Sequence, residues 1–160
     1  MQDNILCFGE LLLRFSPMTN GEWINQHLVP VYIGGAELNV ATALANWNLP
    51  VKYFTALPDN YISDDIKAEL VKRKIAISAI QKTGQRIGAY YLQQGRDLKH
   101  AAVIYDRANS SFASLKPGTI DWEKILEDVK WFHFSAICPA LTEDTAGLCR
   151  EAGRLPQPVQ

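Results

Sequence analysis

The sequence predicts an α/β fold built on a mostly parallel sheet, and three observations carry that expectation. Short, continuous apolar runs recur at residues 5–8, 51–57 and 131–134, the pattern of strands buried on both faces. The stretches that follow the first two carry apolar residues at three- and four-residue spacings, as amphipathic helices do. The composition, 160 residues with 48% apolar and 21% charged, suits a chain long enough to bury a proper core.

The run at residues 5–8 is closed by Gly9, which leaves Glu10 near a strand end. Residues 11–15 stay mostly apolar with Arg14 inserted, and Ser16-Pro17 and Asn20-Gly21 mark turns. Residues 23–33 mix apolar and polar side chains without helical period and read as irregular chain entering a strand that ends at Gly34-Gly35. Leu38, Ala41, Ala45 and Leu49 then define a helix over residues 37–47, closed by Pro50. Residues 51–57 form a second strand, and Ile62, Ile66, Leu70 and Val71 give the next helix its buried face.

The middle of the chain breaks this rhythm. Residues 87–94 and 101–106 read as a hairpin standing away from the main sheet as a flap. A short helix begins at Asp121-Trp122-Glu123, with Ile125, Leu126 and Val129 as its apolar positions, and residues 131–134 return as a buried strand. The last helix runs from an N-cap at Thr142 to about Ala152. Residues 153–160 hold two prolines and little amphipathic order, so the alternating pattern stops as if cut midway.

Sixteen basic residues against 17 acidic ones leave no electrostatic footprint for nucleic acid or an acidic membrane. No apolar stretch approaches the roughly 20 residues of a spanning helix, and Met1-Gln2-Asp3-Asn4 lacks the basic region of a signal peptide. Cys7, Cys138 and Cys149 are odd in number and have no C-x-x-C spacing, which argues against a disulfide framework or a zinc site. The expectation is a cytoplasmic protein with no membrane or nucleic-acid partner. His27, His100 and His133 are scattered without an acidic cluster, so no metal site is expected.

In Gly34-Gly35-Ala36-Glu37-Leu38-Asn39 a glycine pair meets a helix amino terminus, where free backbone N–H groups can hold an anion or a polyol oxygen. The same spacing also suits a tight turn with no ligand. Glu10 stands where open α/β folds place their ligands, or is a loop glutamate on the surface. Arg14 and Arg107 have the planar fork that grips a carboxylate, and each alone reads more often as a surface charge. Tyr90 and Tyr105 can cover a sugar and hydrogen-bond it, or be half-buried strand residues.

The stretch from Gly34 through Asn39 to Ala45 resembles the first signature of the ribokinase-like, or phosphofructokinase B, family of sugar kinases. Phe8-Gly9-Glu10-Leu11-Leu12-Leu13-Arg14-Phe15-Ser16-Pro17, Val103-Ile104-Tyr105-Asp106-Arg107-Ala108-Asn109-Ser110-Ser111 and the run from Trp131 to Leu141 resemble its 2-keto-3-deoxygluconate kinases. The resemblance implies a sheet with helices on both faces and a small β-sheet lid. It implies sugar contacts from Gly34, Gly35, Ala36 and Asn39, with Tyr90, Tyr105, Asp106 and Arg107 reaching in from the lid. Arg107 would take the acid's carboxylate, and Glu10 would face sugar hydroxyls.

Two departures stand out. Asn48-Leu49-Pro50 and Leu57-Pro58-Asp59 replace glycines frequent after the first signature. The second signature, a Gly-Ala-Gly-Asp stretch with the anion hole and catalytic aspartate, has no counterpart up to Gln160. Residues 1–160 are therefore expected to be the amino-terminal, sugar-binding part of a truncated sugar-kinase domain, with no catalytic, metal or nucleotide-binding residue of its own. The complete enzyme would use ATP and Mg²⁺ to phosphorylate a terminal hydroxyl of a sugar or sugar acid, 2-keto-3-deoxygluconate foremost. The resemblance also implies a homo-oligomer paired through the lid. The alternatives are a fructose- or ribose-type kinase and a non-catalytic sugar-acid binding fragment.

Overall fold

The computed structural model describes residues 4–17, 23–24, 27–93 and 103–154. In chain order they form β1 (Asn4–Phe8), β2 (Leu12–Phe15), β3 (Val31–Gly34), α1 (Ala36–Asn46), β4 (Val51–Phe54), β5 (Ala56–Leu57) and α2 (Tyr61–Lys72). There follow β6 (Gln81–Lys82), β7 (Gly88–Leu92), β8 (Val103–Asp106), α3 (Trp122–Leu126), β9 (Val129–His133), α4 (Ile137–Leu141) and α5 (Glu143–Arg154).

β1 lies between β4 and β9, and both pairings are parallel. Side chains alternate across a strand, so Leu6 and Phe8 enter one core while Cys7 enters the other. Leu6 and Phe8 meet Trp122 of α3, Cys138 of α4 and Leu148 of α5. Cys7 is packed with Leu38 and Ala41 of α1 and with Ile66 and Leu70 of α2. Helices cover both faces of this parallel sheet, which is why β1 and β4 read as mostly apolar runs, with Lys52 the charged residue in β4.

A second sheet has the order β3-β2-β7-β8. β7 and β8 pair antiparallel, as the hairpin reading expects, with residues 94–102 outside the described residues. They are not an isolated hairpin, however, because β2 pairs in parallel with β7 and antiparallel with β3. The irregular stretch 23–33 thus ends in a lid strand.

Other expectations are corrected. Residues 51–57 are two strands, broken at the buried Thr55; β4 stays in the main sheet and β5 pairs with β6, whose two residues leave no periodic signal. Ile62 and Val71 are exposed, and Ser63 joins Ile66 and Leu70 on the buried face of α2, beside the N-cap Asn60, whose Oδ1 accepts from Ser63 N at 3.0 Å. α3 ends at Leu126, so Val129 packs from β9 instead. Trp131 is 72% exposed although it lies in an apolar run; β9 is an outer strand of its sheet among the described residues, as is β4, whose residues are all buried. α4 was not anticipated at all. Thr142 does cap α5, its Oγ1 accepting from Thr145 N at 3.0 Å.

Candidate functional site

β1 ends at Phe8 and the chain enters the lid at Leu12, so Glu10 sits where the main sheet hands over to the lid. This is the carboxyl edge of the parallel strands, where open α/β folds bind ligands. Glu10 is only 3% exposed, which removes the surface-loop alternative. Its Oε2 accepts from Arg107 Nε at 2.8 Å and pairs with Nη2 at 2.6 Å. Its Oε1 accepts from the Ser110 hydroxyl. Burial pushes the Glu10 carboxyl above its usual range, and the Ser110 hydrogen bond and Arg107 charge draw it only partly back.

The β3–α1 turn needs its glycines. Gly35 has φ +141°, and a Cβ there would lie 2.5 Å from the Glu10 carbonyl oxygen. A Cβ on Gly34 would lie 2.9 Å from the Tyr90 hydroxyl, so the bare backbone lets the lid tyrosine approach. No side chain caps α1, which leaves first-turn N–H groups available to a ligand. Glu37 anchors this turn from behind: it is 2% exposed and accepts from Ser135 N at 3.0 Å and Ser135 Oγ at 2.5 Å. Beneath it, burial and then the Glu37 charge raise the Cys7 thiol to about 12. The Tyr53 hydroxyl donates to the Gly9 carbonyl at 3.1 Å.

A cleft of about 280 Å³ opens between the start of α1 and the lid. Glu10, Gly35, Ala36, Asn39, Tyr90, Tyr105 and Arg107 all line it, joined by Glu37, Leu92, Val103 and Ile137. Tyr90 and Tyr105 are register partners with ring centroids 6.0 Å apart. Gly34 lines an adjoining hollow that shares Asn39 and Tyr90 with the cleft. Asp106 is the exception: it points to the other lid face, and its Oδ1 pairs with Arg86 Nη2 at 2.7 Å. Ser110 escaped the sequence reading because it meets Glu10 across 100 residues of chain. Glu37 carried one visible signal, an acid in the first turn after a glycine pair.

Among the described residues no three His, Cys, Asp or Glu side chains are grouped to hold a metal ion. The two carboxyl groups of the cleft are already satisfied by Arg107, Ser110 and Ser135. These residues therefore do not fit a Mg²⁺ or nucleotide site, and no step of phosphoryl transfer is assigned to them. No helix among the described residues is long and apolar enough to cross a membrane.

Residues 2–156 match the model of the pfkB family carbohydrate kinases. The chain is 31% identical over 143 residues to a 2-dehydro-3-deoxygalactonokinase of Haloferax volcanii, covering 89% of this chain and 45% of that protein. The crystal structure of a 2-dehydro-3-deoxygluconokinase from Thermotoga maritima is similar with TM-score 0.85 and 38% identity, over 95% of this chain and 46% of that one. A PfkB family carbohydrate kinase from Listeria grayi gives TM-score 0.86 at 32% identity, over 95% and 49%. The chain belongs to the pfkB family of carbohydrate kinases, with the ribokinase-like fold. It spans about half the length of the relatives it matches.

Proposed function

We propose that these residues form the acceptor-sugar side of an ATP-dependent carbohydrate kinase whose substrate is a 2-keto-3-deoxy sugar acid, 2-keto-3-deoxygluconate foremost, phosphorylated at a terminal hydroxyl. The observation that carries this reading is a cleft of mixed polar and apolar lining in which two lid tyrosines stand over an uncapped helix start. In this reading the N–H groups of the α1 first turn donate to sugar oxygens. Asn39 supplies a side-chain amide. Tyr90 and Tyr105 cover the carbon skeleton and hydrogen-bond it at the rim. Glu10 fixes the Arg107 guanidinium at the lid-side wall, and Asp106 serves the lid through Arg86 rather than the sugar. The similarity to kinases named for 2-dehydro-3-deoxy sugars supports an acid over a neutral sugar.

Residues 1–160 act here as the amino-terminal, sugar-binding part of the kinase domain. Lid-to-lid pairing of two copies belongs to the same reading, since Val31, Phe15, Tyr91 and Ile104 form one apolar row across the outer lid face. Calorimetric titration of the 160-residue chain is expected to show binding of 2-keto-3-deoxygluconate. A coupled ATP assay is expected to show no turnover, because the Gly-Ala-Gly-Asp stretch is not among these residues. Failure of the acid to bind sinks the sugar-acid assignment; turnover above buffer sinks the division of labour.

A further inference from the structure

Two arginines close on the end of β8 from opposite sides, and only one of them belongs to the cleft. Arg107 reaches Glu10 from the cleft side. Arg86, two residues ahead of β7, reaches the same turn from the other lid face. Its Nη1 donates to the Ala108 carbonyl at 2.9 Å, and its Nη2 donates to the Asp106 carbonyl at 3.1 Å and pairs with Asp106 Oδ1 at 2.7 Å. One planar fork thus holds the carbonyls on either side of Arg107 at once. The main chain at Arg86 joins in, its carbonyl accepting from Ser111 N at 2.8 Å and from the Ser111 hydroxyl at 2.9 Å.

A surface ion pair would engage the Asp106 carboxylate alone, and with both side chains partly exposed it would contribute little. Arg86 instead binds three acceptors on residues 106 and 108, a geometry that fixes the backbone between them. That backbone sets where the Arg107 side chain starts, and three residues on, Ser110 completes the Glu10 contacts. The fit at this root is close. A Cβ on Gly88, the first residue of β7, would lie 2.6 Å from Glu10 Oε1 and 3.3 Å from the Arg107 Cβ. Arg86 also acts on Glu10 through its charge: burial raises the Glu10 carboxyl, and Ser110, Arg107 and Arg86 each draw it down. The other groups facing this carboxyl are Tyr53 of β4, kept neutral by burial first and by Glu37 next, and Glu37 itself, which lines the same cleft.

We propose that Arg86 is a positioning residue for the cleft: from the far side of the lid it clamps residues 106–108 so that Arg107 stands against Glu10 and the lid root stays seated on the main sheet. Arg86 lines no part of the cleft and acts only through the turn it holds. Its effect on a bound sugar acid rests on the sugar-acid reading above, whereas its effect on Glu10 does not.

The test compares the full chain with Arg86→Met, Arg86→Lys, Arg107→Gln and the double variant that joins Arg86→Met to Arg107→Gln. Two readouts are taken, calorimetric titration with 2-keto-3-deoxygluconate and carbon-13 NMR titration of the Glu10 carboxyl. The bonds from Ser111 to the Arg86 main chain survive every one of these substitutions. Arg86→Met is expected to weaken acid binding about 10-fold, the size of one hydrogen bond to a charged group, and to move the Glu10 titration upward. In the Arg107→Gln background it is expected to cost no further acid affinity, because residues that act through one contact are not additive. Arg86→Lys keeps the charge without the fork, so its acid affinity is expected to stay near that of Arg86→Met, with a smaller upward movement at Glu10. Full recovery of affinity in Arg86→Lys overturns the clamp, since charge alone would then suffice. Losses that add in the double variant, or a Glu10 titration that Arg86→Met leaves in place, overturn it by reducing Arg86 to a surface ion pair. Absence of acid binding by the unmodified chain overturns the sugar-acid reading alone, and the Glu10 titrations then decide on Arg86.

Discussion

The three parallel strands carry an ion pair at each edge, and the two are built differently. At the amino-terminal edge, Lys52 Nζ meets Asp128 Oδ1 at 2.5 Å while Asn4 Nδ2 donates to Oδ2 at 2.6 Å. This knot ties β1, β4 and the turn before β9 to one another. Burial pushes the Asp128 carboxyl up, but the Lys52 hydrogen bond and charge outweigh it, and it ends below its ordinary value. At the carboxyl edge the balance is reversed, because burial outweighs both partners and Glu10 ends above its ordinary value. The lower pair joins strands to strands, whereas the upper one holds a separate sheet over a cleft. The carboxyl edge thus keeps a carboxyl group at net electrostatic cost beside a turn whose φ only glycine adopts freely.

Removing Arg107 is the largest way to break this comparison. Arg107→Met leaves Glu10 buried with Ser110 alone, and breaking one side of a buried pair costs about 3–5 kcal/mol. Because the folded Glu10 pKa lies above the 4.5 of the free group, the favourable neutral form is fully present below 4.5, and its contribution is lost as pH rises through the folded value. Without Arg107 that folded value climbs further. Urea melts are expected to show a large deficit against the unmodified chain at pH 8 that shrinks toward pH 5. A deficit independent of pH would mean that Glu10 is not the group left stranded.

Next in size is Gly35→Ala. A residue forced into a backbone region reserved for glycine costs about 1–3 kcal/mol, and here its Cβ also strikes the Glu10 carbonyl 2.5 Å away. For a chain of this length each kcal/mol is about 2–4 °C in melting temperature. The expected fall is therefore about 2–12 °C, together with weaker binding of the sugar acid. A melting temperature within a degree of the parent would show that the turn relaxes freely and is not part of a fixed cleft.

The main sheet was legible in the sequence because β1 and β4 are wet on neither face and α1 repeats its apolar residues with helical period. The lid was half legible. β2 follows β1 after three residues and reads as more of the same apolar run, and β3 exposes Val31 and Tyr32, so neither announced its membership. Trp131 misled for a different reason: an apolar run does not tell which of its side chains the packing leaves uncovered. At the site, spacing offered the turn from Gly34 to Asn39 as either a ligand cradle or a bare turn, and each arginine as a carboxylate grip or, more often, a surface charge. It did not tell which guanidinium is spent, since Glu10, Arg107 and Ser110 meet only after folding across about a hundred residues. Asp106, one position from Tyr105, falls on the wrong face through strand alternation alone.

The smallest expected effect lies at the lower edge. Asp128 is about a third exposed, with 35% of its side chain accessible against 10% for Lys52, so water screens much of the pair. In Asp128→Asn the amide oxygen remains to accept from Lys52, which keeps its contact with the Ile125 carbonyl at 3.4 Å. The loss is expected to be about 1 kcal/mol at pH 7. Because the folded Asp128 pKa is below the 3.8 of the free group, its stabilisation is present above 3.8 and disappears as pH falls through the lower folded value. The variant and the parent are therefore expected to converge in acid, whereas the Arg107→Met deficit grows with alkali. Melts of the two variants across pH 3–8 read both slopes directly. Parallel profiles would mean that the two edges answer to the same physics, and that the raised Glu10 carboxyl does not set the carboxyl edge apart.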